Sequence, residues 1–189
     1  MCIRDRSNSN PAILVDHNNH SIQIIQNKDW ISNYNNIILG VGTSAVKKRV
    51  YDSFYVSHNI NTTQLKNIIH PKSIISKLAN ISNGLYIGPG SIISAYAFIS
   101  DMVTINRGVT IGHHTSIGMG CSINPGVNIG GLTTIGDYTT IGIGSNIFDR
   151  IHIGSNTIIG AGSIVAKSIP DNVIAYGSPA KIIKENPTV

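Results

Sequence analysis

The stretch Ile105–Ile123, INRGVTIGHHTSIGMGCSI, decides the fold because isoleucine returns in it at every sixth residue. The spacing extends far beyond this stretch, since Ile or Val occupies all 17 positions spaced six apart from 69 to 165. Neither a helix of 3.6 residues per turn nor a strand with its period of two requires such a spacing. A period of six is typical of a hexapeptide β-helix, in which short strands wind into stacked coils.

The hexads share two further features. Glycine directly follows isoleucine in 8 of the 16 hexads that begin with Ile, and the fifth residue is small or Val in all but two, the exceptions being Leu85 and Ile151. We expect the Ile and the fifth residue to point into a triangular prism, and glycine to help at the bend by tolerating unusual backbone angles. Three hexads make one coil, and each buried Ile contributes roughly 1.5–3 kcal/mol. One stacked column should contain Ile87, Ile105, Ile123, Ile141 and Ile159.

The chain divides into four segments. Residues 1–10 indicate a disordered or non-native start, 11–68 a partial α/β subdomain with half of a nucleotide-binding βαβ unit, 69–166 the β-helix and 167–189 a C-terminal turn and tail. The fold class is therefore mostly β: a parallel β-helix of hexapeptide repeats with a small, incomplete, Rossmann-like α/β subdomain before it.

Shorter elements are predicted at both ends of the repeat. The N-terminal segment indicates strands near 12–15, 21–25 and 36–40, then a glycine turn and a helix through about Val56. Thr43 or Ser44 should cap this helix. Its apolar face is predicted from helical spacing to contain Val46, Val50, Tyr51 and Phe54. Beyond the repeat we expect a strand over 173–176 and a helical turn in the tail.

Composition and charge exclude several classes of function. The net charge is +5, but the basic residues are scattered and form one tight run, Lys47–Arg49, so a nucleic-acid-binding face is not expected. No apolar run of about 18 residues is present, which argues against a membrane span. The start lacks the apolar core of a secretory signal, so a cytoplasmic location is expected. Cys2 and Cys121 make no disulfide framework, and Cys121 should be a buried free thiol.

One histidine stands out among the seven in the chain. His113 lies in the hexad Ile111-Gly-His-His-Thr-Ser116, on a bend or an outer face. Gly131 takes the equivalent position three hexads later, one coil further on, and leaves a backbone N–H accessible. A base beside a backbone donor is the minimal pair for acyl transfer. Because the prism interior is filled, ligands must bind in grooves between prisms, and a cyclic trimer is expected.

Six motifs spread over residues 36–181 carry a resemblance to a known family. They are Ile38–Gly42, Asn67–Pro71, Ile105–His113, Pro125–Gly131, Ile159–Ser163 and Gly177–Lys181. Together they resemble the sialic acid O-acetyltransferase / UDP-sugar N-acetyltransferase family of β-helix proteins. The resemblance implies a left-handed winding, acetyl-CoA as cosubstrate, no metal, a sugar or UDP-sugar acceptor and a homotrimer.

The resemblance also implies roles for single residues. His113 corresponds to the general base and Asn106 to an active-site asparagine near it, while Gly131 corresponds to the amide that contacts the acetyl group. His114, next to the base, and Asp16, which would help to hold the nucleotide, are expected to bind substrate. The positions along the coenzyme groove are matched by Ile143, Gly144, Ala161 and Lys167.

The sequence departs from the family pattern at three places. The family usually has Asp or Glu after its catalytic histidine to orient the imidazole, and this chain has His114. A backbone carbonyl could fix the tautomer instead. Ser122 stands where a second histidine is often found. The glycine-rich first loop of the sugar subdomain is absent, and we therefore expect an N-terminally truncated chain.

Three alternatives stay open beside acetyl transfer to a sugar amine or hydroxyl. A γ-type carbonic anhydrase needs three converging histidines, and His113, His114 and His152 have no obvious spacing for that. A scaffold or ice-binding solenoid would need long threonine columns on one flat face. A catalytically impaired fragment would keep the coenzyme site and lack the acceptor site.

Overall fold

The structure is a computed structural model, and it describes residues 13–15, 21–23, 40, 42–52 and 62–187. Residues 68–165 form a solenoid of two-residue strands joined by turns, which stack into three sheets. The first face contains Ile68–Ile69, Tyr86–Ile87, Thr104–Ile105, Ser122–Ile123, Thr140–Ile141 and Ile158–Ile159. The second face contains Ile74–Ile75, Ile92–Ile93, Thr110–Ile111, Asn128–Ile129, Asn146–Ile147 and Ile164–Val165. The third face contains Asn80–Ile81, Phe98–Ile99, Ser116–Ile117, Thr134–Ile135 and His152–Ile153.

The strands of each face pair in parallel, and each strand lies beside the one three hexads further along the chain. Ile105 lies beside Ile123, and Ile123 lies beside Ile141. The column from Ile87 to Ile159 is fully buried. The hexapeptide coil predicted from the spacing is thereby confirmed, together with its central isoleucine column.

The fifth hexad position also points inward, and its small polar side chains are satisfied there. The hydroxyls of Thr115 and Thr133 donate to the carbonyls of Gly130 and Phe148, each at 3.0 Å and each in the next coil. Cys121 is a buried free thiol, as expected, and its Sγ lies 3.0 Å from a carbonyl of the next coil. Burial raises the pKa of this thiol to about 12. A small hydroxyl or thiol at this place therefore fits the corner and pairs with a carbonyl of the next coil.

The turns place the left-handed residue at the fourth position of the hexad. Every sixth residue from 84 to 162 has a positive φ, and half of them are not glycine: Tyr96, Met102, His114, Leu132, Tyr138, Arg150 and Asn156. The glycines that follow isoleucine do not share this conformation. A methyl group on Gly112 would instead lie 2.4 Å from the backbone nitrogen of Gly131. The reason given above for these glycines is therefore wrong, because they permit close approach of coils rather than unusual angles.

The segment before the solenoid is described only in parts. Strands β1 (Ile13–Val15) and β2 (Ser21–Gln23) pair antiparallel, and helix α1 covers Ser44–Val50. A 3-10 turn at Thr62–Gln64 leads into the first coil. The predicted strand near 36–40, except Gly40, and the helix beyond Asp52 lie outside the described residues, as do residues 1–10.

Helix α1 docks on the first face through polar groups, so the predicted burial of Val46 is wrong, while Val50 and Tyr51 are half-buried and Phe54 lies outside the described residues. The two buried residues of α1 are Ser44 and Lys47, whereas Val46 is 38% exposed. Lys47 Nζ donates to the carbonyl of Cys121 at 2.9 Å and to Ser122 Oγ at 3.4 Å. The helix turns its polar side inward because the surface beneath it is made of hydroxyls and carbonyls. Thr43 is the N-cap but makes no side-chain capping bond.

The solenoid ends in a hairpin. Strand Val173–Gly177 adds in parallel beside Ile158–Ile159, and strand Ala180–Glu185 then returns antiparallel to it. The tail is therefore a strand and not the expected helical turn. Its β-branched pair Ile182 and Ile183 suits an extended chain.

Candidate functional site

Three edges run along the prism, and we name each after a residue at the third position of its hexads. The histidine edge joins the second and third faces and contains Lys77, Ala95, His113, Gly131, Asp149 and Lys167. The proline edge joins the first and second faces and contains Pro71, Pro89, Arg107, Pro125, Ile143 and Ala161. The aspartate edge joins the third and first faces and contains Asn83, Asp101, Met119, Asp137, Ser155 and Asp171.

At the aspartate edge, side chains of one coil accept hydrogen bonds from backbone N–H groups of the coil before. The Met119 N–H donates to Asp137 Oδ1 at 2.7 Å, and the Ser155 N–H donates to Asp171 Oδ1 at 2.7 Å. The Asp137 N–H donates to Ser155 Oγ at 3.1 Å. These N–H groups are therefore occupied within the chain.

Asp101 shows the electrostatic result of this arrangement. Partial burial raises the pKa of its carboxyl. Hydrogen bonds from Ser82 Oγ and the Asn83 N–H lower the pKa by more than burial raises it, so the pKa lies below its ordinary value. The carboxylate is stabilised in its ionised form as an acceptor. The aspartate edge thus has a structural role, because its side chains bind the N–H groups of the neighbouring coils.

The proline edge removes half of its N–H groups in another way. Three of its six positions are proline and have no N–H: Pro71, Pro89 and Pro125. The Arg107 N–H donates to Asn106 Oδ1 at 3.2 Å. The N–H groups of Ile143 and Ala161 donate to nothing in the described part of the chain. Two donors therefore remain open at the far end of this edge.

The histidine edge contains the predicted base and the predicted donor together. A methyl group on Gly131 would lie 2.9 Å from His113 Nε2, so the imidazole lies directly against the glycine one coil further on. The Gly131 carbonyl accepts the Arg150 N–H at 2.9 Å, but the Gly131 N–H donates to nothing among residues 62–187. The edge thus brings an exposed imidazole to a backbone donor without an acceptor.

His114 makes the one polar contact to the His113 ring found among the described residues. The two Nδ1 atoms are 3.1 Å apart, and the rings are nearly perpendicular, with centroids 5.3 Å apart. The His114 ring also packs against Tyr96, one coil back, with ring centroids 4.8 Å apart. Both histidines are exposed. The ring of His114, the residue predicted to bind substrate, is therefore directed at His113 in this structure.

The other predicted residues lie at two edges. Lys167 lies on the histidine edge two coils beyond Gly131, a spacing of roughly 10 Å along the stack. The second face separates it from the predicted residues that belong to the turns of the proline edge: Asn106, Ile143, Gly144 and Ala161. Asp16 lies outside the described residues. One chain therefore brings His113, His114 and Gly131 together and leaves the second group on the neighbouring edge.

Lys47 was missed by the sequence reasoning. It is 1% exposed beneath α1, and burial lowers the pKa of its ammonium to about 7, with the nearby Cys121 opposing the shift. It covers Ser122, which is 3% exposed and donates to the Gly42 carbonyl at 2.8 Å. No spacing in the sequence could reveal this contact, because Lys47 and Cys121 belong to distant parts of the chain.

The described part of the chain also bears on two other classes of site. Within it, no group of three His, Cys, Asp or Glu side chains is arranged to hold a metal ion. No helix in the described ranges has the length and apolarity needed to cross a bilayer.

The chain has no match among protein-family models or curated proteins. Solved structures give clear likenesses. A variant of perosamine N-acetyltransferase from Caulobacter crescentus, solved with CoA and GDP-perosamine, is 27% identical over 79% of this chain and 70% of its own, with a TM-score of 0.73. The acetyltransferase domain of PglB from Neisseria gonorrhoeae, solved with acetyl coenzyme A, is 26% identical over 78% and 70%, with a TM-score of 0.72.

A third structure, WeeI from Acinetobacter baumannii, is 24% identical over 78% of this chain and 70% of its own, with a TM-score of 0.71, and supports the fold alone. The two former likenesses are to proteins named as acetyltransferases. The hexapeptide solenoid and these likenesses show that the chain has the fold of these acetyltransferases and is an acyltransferase enzyme.

Proposed function

We propose that this enzyme transfers the acetyl group of acetyl-CoA to an amine or hydroxyl of a sugar or nucleotide-sugar. The neighbours support this reaction, since one was solved with CoA and GDP-perosamine and another with acetyl coenzyme A. The observation that carries the proposal is the contact of the His113 imidazole with Gly131, whose N–H has no acceptor among the described residues.

The proposed chemistry uses these two groups in turn. His113 Nε2 accepts the proton of the acceptor amine or hydroxyl as that atom attacks the thioester carbonyl carbon. The carbonyl oxygen gains negative charge, and the Gly131 N–H donates to it. The carbon–sulfur bond then breaks, and the leaving thiolate takes the proton from the imidazolium. Loss of one such donor typically lowers the rate on the order of 10²–10³-fold.

A complete site requires a second copy of the chain. His113 and Gly131 lie on one border of the second face, while Ile143, Gly144 and Ala161 lie on its other border. If second faces meet around a threefold axis, the histidine edge of each copy lies beside the proline edge of the next. The open N–H groups of both edges then line one groove. This geometry favours a homotrimer, with acetyl-CoA between copies.

The remaining predicted residues have places in this proposal. Lys167 would lie near the phosphates of the coenzyme, because it follows Gly131 along the same edge. Asn106 would act near the base across the groove, and Asp16 would help to hold the nucleotide of the acceptor. The N-terminal segment would supply this acceptor subsite, and the reaction would take place in the cytoplasm.

Replacement of His113 tests the proposal. His113→Ala should trimerise and bind acetyl-CoA but lose about 10²–10⁴ in turnover with an amino-sugar acceptor, because no other exposed base contacts Gly131 in the described structure. Release of free CoA thiol measures the rate. His152→Ala is the matched control, since His152 is exposed on the third face. Turnover retained in His113→Ala would exclude this histidine as the base.

A further inference from the structure

We propose that His114 is a positioning residue, which accepts a hydrogen bond from His113 and so keeps the His113 imidazole in the tautomer that leaves Nε2 free. This inference rests on the proposed function, in which Nε2 of His113 removes the proton. It differs from the substrate-binding role predicted for His114 above, and the geometry of the pair carries it.

The two histidine rings are close enough to share a proton. The Nδ1 atoms of His113 and His114 are 3.1 Å apart, which is hydrogen-bonding distance. Neither ring has another hydrogen-bond partner among residues 62–187. Two nitrogens at this distance share one proton, because two protons would repel and none would set two lone pairs against each other. One histidine must therefore donate and the other accept.

His114 is the more firmly held of the two residues. Its backbone has φ of 56°, and its N–H donates to the Ala95 carbonyl at 3.2 Å. The left-handed turn directs the ring toward Tyr96, where it packs with centroids 4.8 Å apart. His114 is therefore held by backbone and ring packing, whereas the His113 ring depends on His114 for its one polar contact in the described chain. The better-held ring fixes the other.

The position of His113 Nε2 decides the direction of the hydrogen bond. This nitrogen faces Gly131, where the acceptor and thioester must meet. For it to be basic, the proton of neutral His113 must be on Nδ1, so His113 donates and His114 Nδ1 accepts. His114 then has its own proton on Nε2. When Nε2 of His113 takes up the acceptor proton, the bond to His114 becomes charge-assisted and stronger.

A neutral hydrogen-bond acceptor beside His113 stabilises the imidazolium less than a carboxylate would. A carboxylate would stabilise the imidazolium by charge and by hydrogen bonding, but neutral His114 contributes the hydrogen bond alone. The other polar groups along this edge are the Tyr96 hydroxyl one coil back, Lys77 two coils back and Lys167 three coils beyond His113. Asp149 and Arg150, one coil beyond Gly131, pair with each other at 3.0 Å. The nearest carboxylate is thus already engaged.

Two substitutions separate hydrogen bonding from packing. In His114→Asn the amide Oδ1 takes the place of the imidazole Nδ1, and Asn adopts left-handed angles readily. In His114→Phe the ring and its packing on Tyr96 remain, but the acceptor is lost. We expect His114→Phe to lower kcat about 10- to 100-fold, with KM for acetyl-CoA unchanged, and His114→Asn to stay within about threefold of wild type. The reverse order would overturn the proposal in favour of simple packing.

A third variant tests the charge. His114→Glu places a carboxylate beside His113, and the acidic limb of the kcat/KM profile should move to higher pH, because the imidazolium is now stabilised by charge. An unmoved limb would contradict a direct contact between residues 113 and 114.

Nitrogen-15 NMR of histidine-labelled wild type reads the tautomer without any turnover. We expect His113 protonated on Nδ1 in wild type and in His114→Asn, and a mixture of tautomers in His114→Phe. A wild-type His113 protonated on Nε2 would overturn the positioning role, even if His113→Ala were inactive. If instead the tautomer is as expected and His113→Ala retains turnover, the pair stands and the proposed function fails.

Discussion

The aspartate edge and the histidine edge are built from the same kind of turn, yet they differ in what happens to the N–H at the third position of the hexad. Met119 donates its N–H to Asp137 of the next coil, whereas His113 is followed one coil later by Gly131, which has no side chain to accept anything. The first edge closes the backbone and the second leaves it open. An edge with an open backbone donor can therefore arise by removing an acceptor, without any change in the course of the chain.

The energetic cost of the two arrangements differs little until a ligand binds. An N–H on an exposed edge is hydrated, so leaving it without a protein partner costs little. The same N–H becomes a strong donor when a ligand and a second chain exclude water around it. An edge with open N–H groups therefore costs the free chain little stability, and its N–H groups bind a ligand strongly once the groove is closed to water. Substitutions at the edges test this contrast, and those with strong effects come before those with weak ones.

The strongest effects come from methyl groups added at two neighbouring glycines. In Gly112→Ala the new carbon would lie 2.4 Å from the Gly131 nitrogen, so the coils must separate, and we expect a loss of more than about 3 kcal/mol in the free energy of unfolding. In Gly131→Ala the three atoms nearest to the new carbon all belong to the exposed His113 ring, at 2.9–3.2 Å. The ring must move, and turnover should fall about 100-fold with stability within about 1 kcal/mol.

Urea unfolding and CoA-release assays on both variants check this pair. An unstable Gly131→Ala protein, or an active one, would contradict the assignment of Gly112 to packing and Gly131 to the site.

The next effect concerns the open donors of the proline edge. In Ala161→Pro the segment 160–162 becomes Gly-Pro-Gly, which residues 88–90 of the same edge already are, so the backbone should accept it. The Ala161 N–H is lost, and acetyl-CoA affinity should fall about tenfold, corresponding to roughly 1.4 kcal/mol. Calorimetry with acetyl-CoA measures the change, and Ala161→Gly, which keeps the N–H, is the control. Equal affinities in the two variants would show that this donor is not used.

A smaller effect is expected when an acceptor is removed from the aspartate edge. Asp137→Ala frees the Met119 N–H, and because Asp137 is exposed we expect a loss of about 0.5–1 kcal/mol in stability with unchanged kcat. Thermal unfolding and turnover assays measure both quantities. A large drop in turnover would show that the two edges are not functionally distinct.

The last test lies outside the edges and concerns the docking of α1 on the first face, which should depend on pH. Lys47 has a pKa of about 7 when α1 is docked, against 10.5 as its ordinary value, so the undocked state binds more protons between these pH values. Docking should therefore become more stable as pH rises from 7 toward 10, and Lys47→Met should remove this dependence.

Trypsin cleavage after Lys48 and Arg49, compared in wild type and Lys47→Met at pH 7 and pH 9, measures the docking. Dividing the cleavage rate of wild type by that of Lys47→Met at each pH cancels the pH dependence of the protease itself. A constant ratio would show that Lys47 is charged in both states.

The fold was predictable because it depends on local repetition. The column from Ile87 to Ile159 and the inward Cys121 follow from spacing alone, since each coil repeats the environment of the last. The role of Gly112 was not predictable in the same way, because its neighbour, the backbone of Gly131, belongs to the next coil. The sequence pattern identified the glycine correctly and assigned it the wrong reason.

The site was predictable to the level of the edge. The spacing of three hexads and the family resemblance paired His113 with Gly131, and the structure places them in contact. The orientation of His114 toward His113 depends on a left-handed turn at a residue that is not glycine, and the six-residue spacing did not identify which residues adopt that turn. Lys47 could not be found either, because helical spacing favoured Val46 for the buried side of α1.

The terminal hairpin has a consequence for self-association. A stack of parallel coils ends in unpaired strand edges that could template further growth, as in fibrils. On the first face Ala180–Glu185 runs against the direction of every strand before it, so its free border cannot continue the parallel ladder. Lys181, Lys184 and Glu185 add charge at that border. The antiparallel terminal strand thus opposes further growth of the parallel stack at this end of the first face.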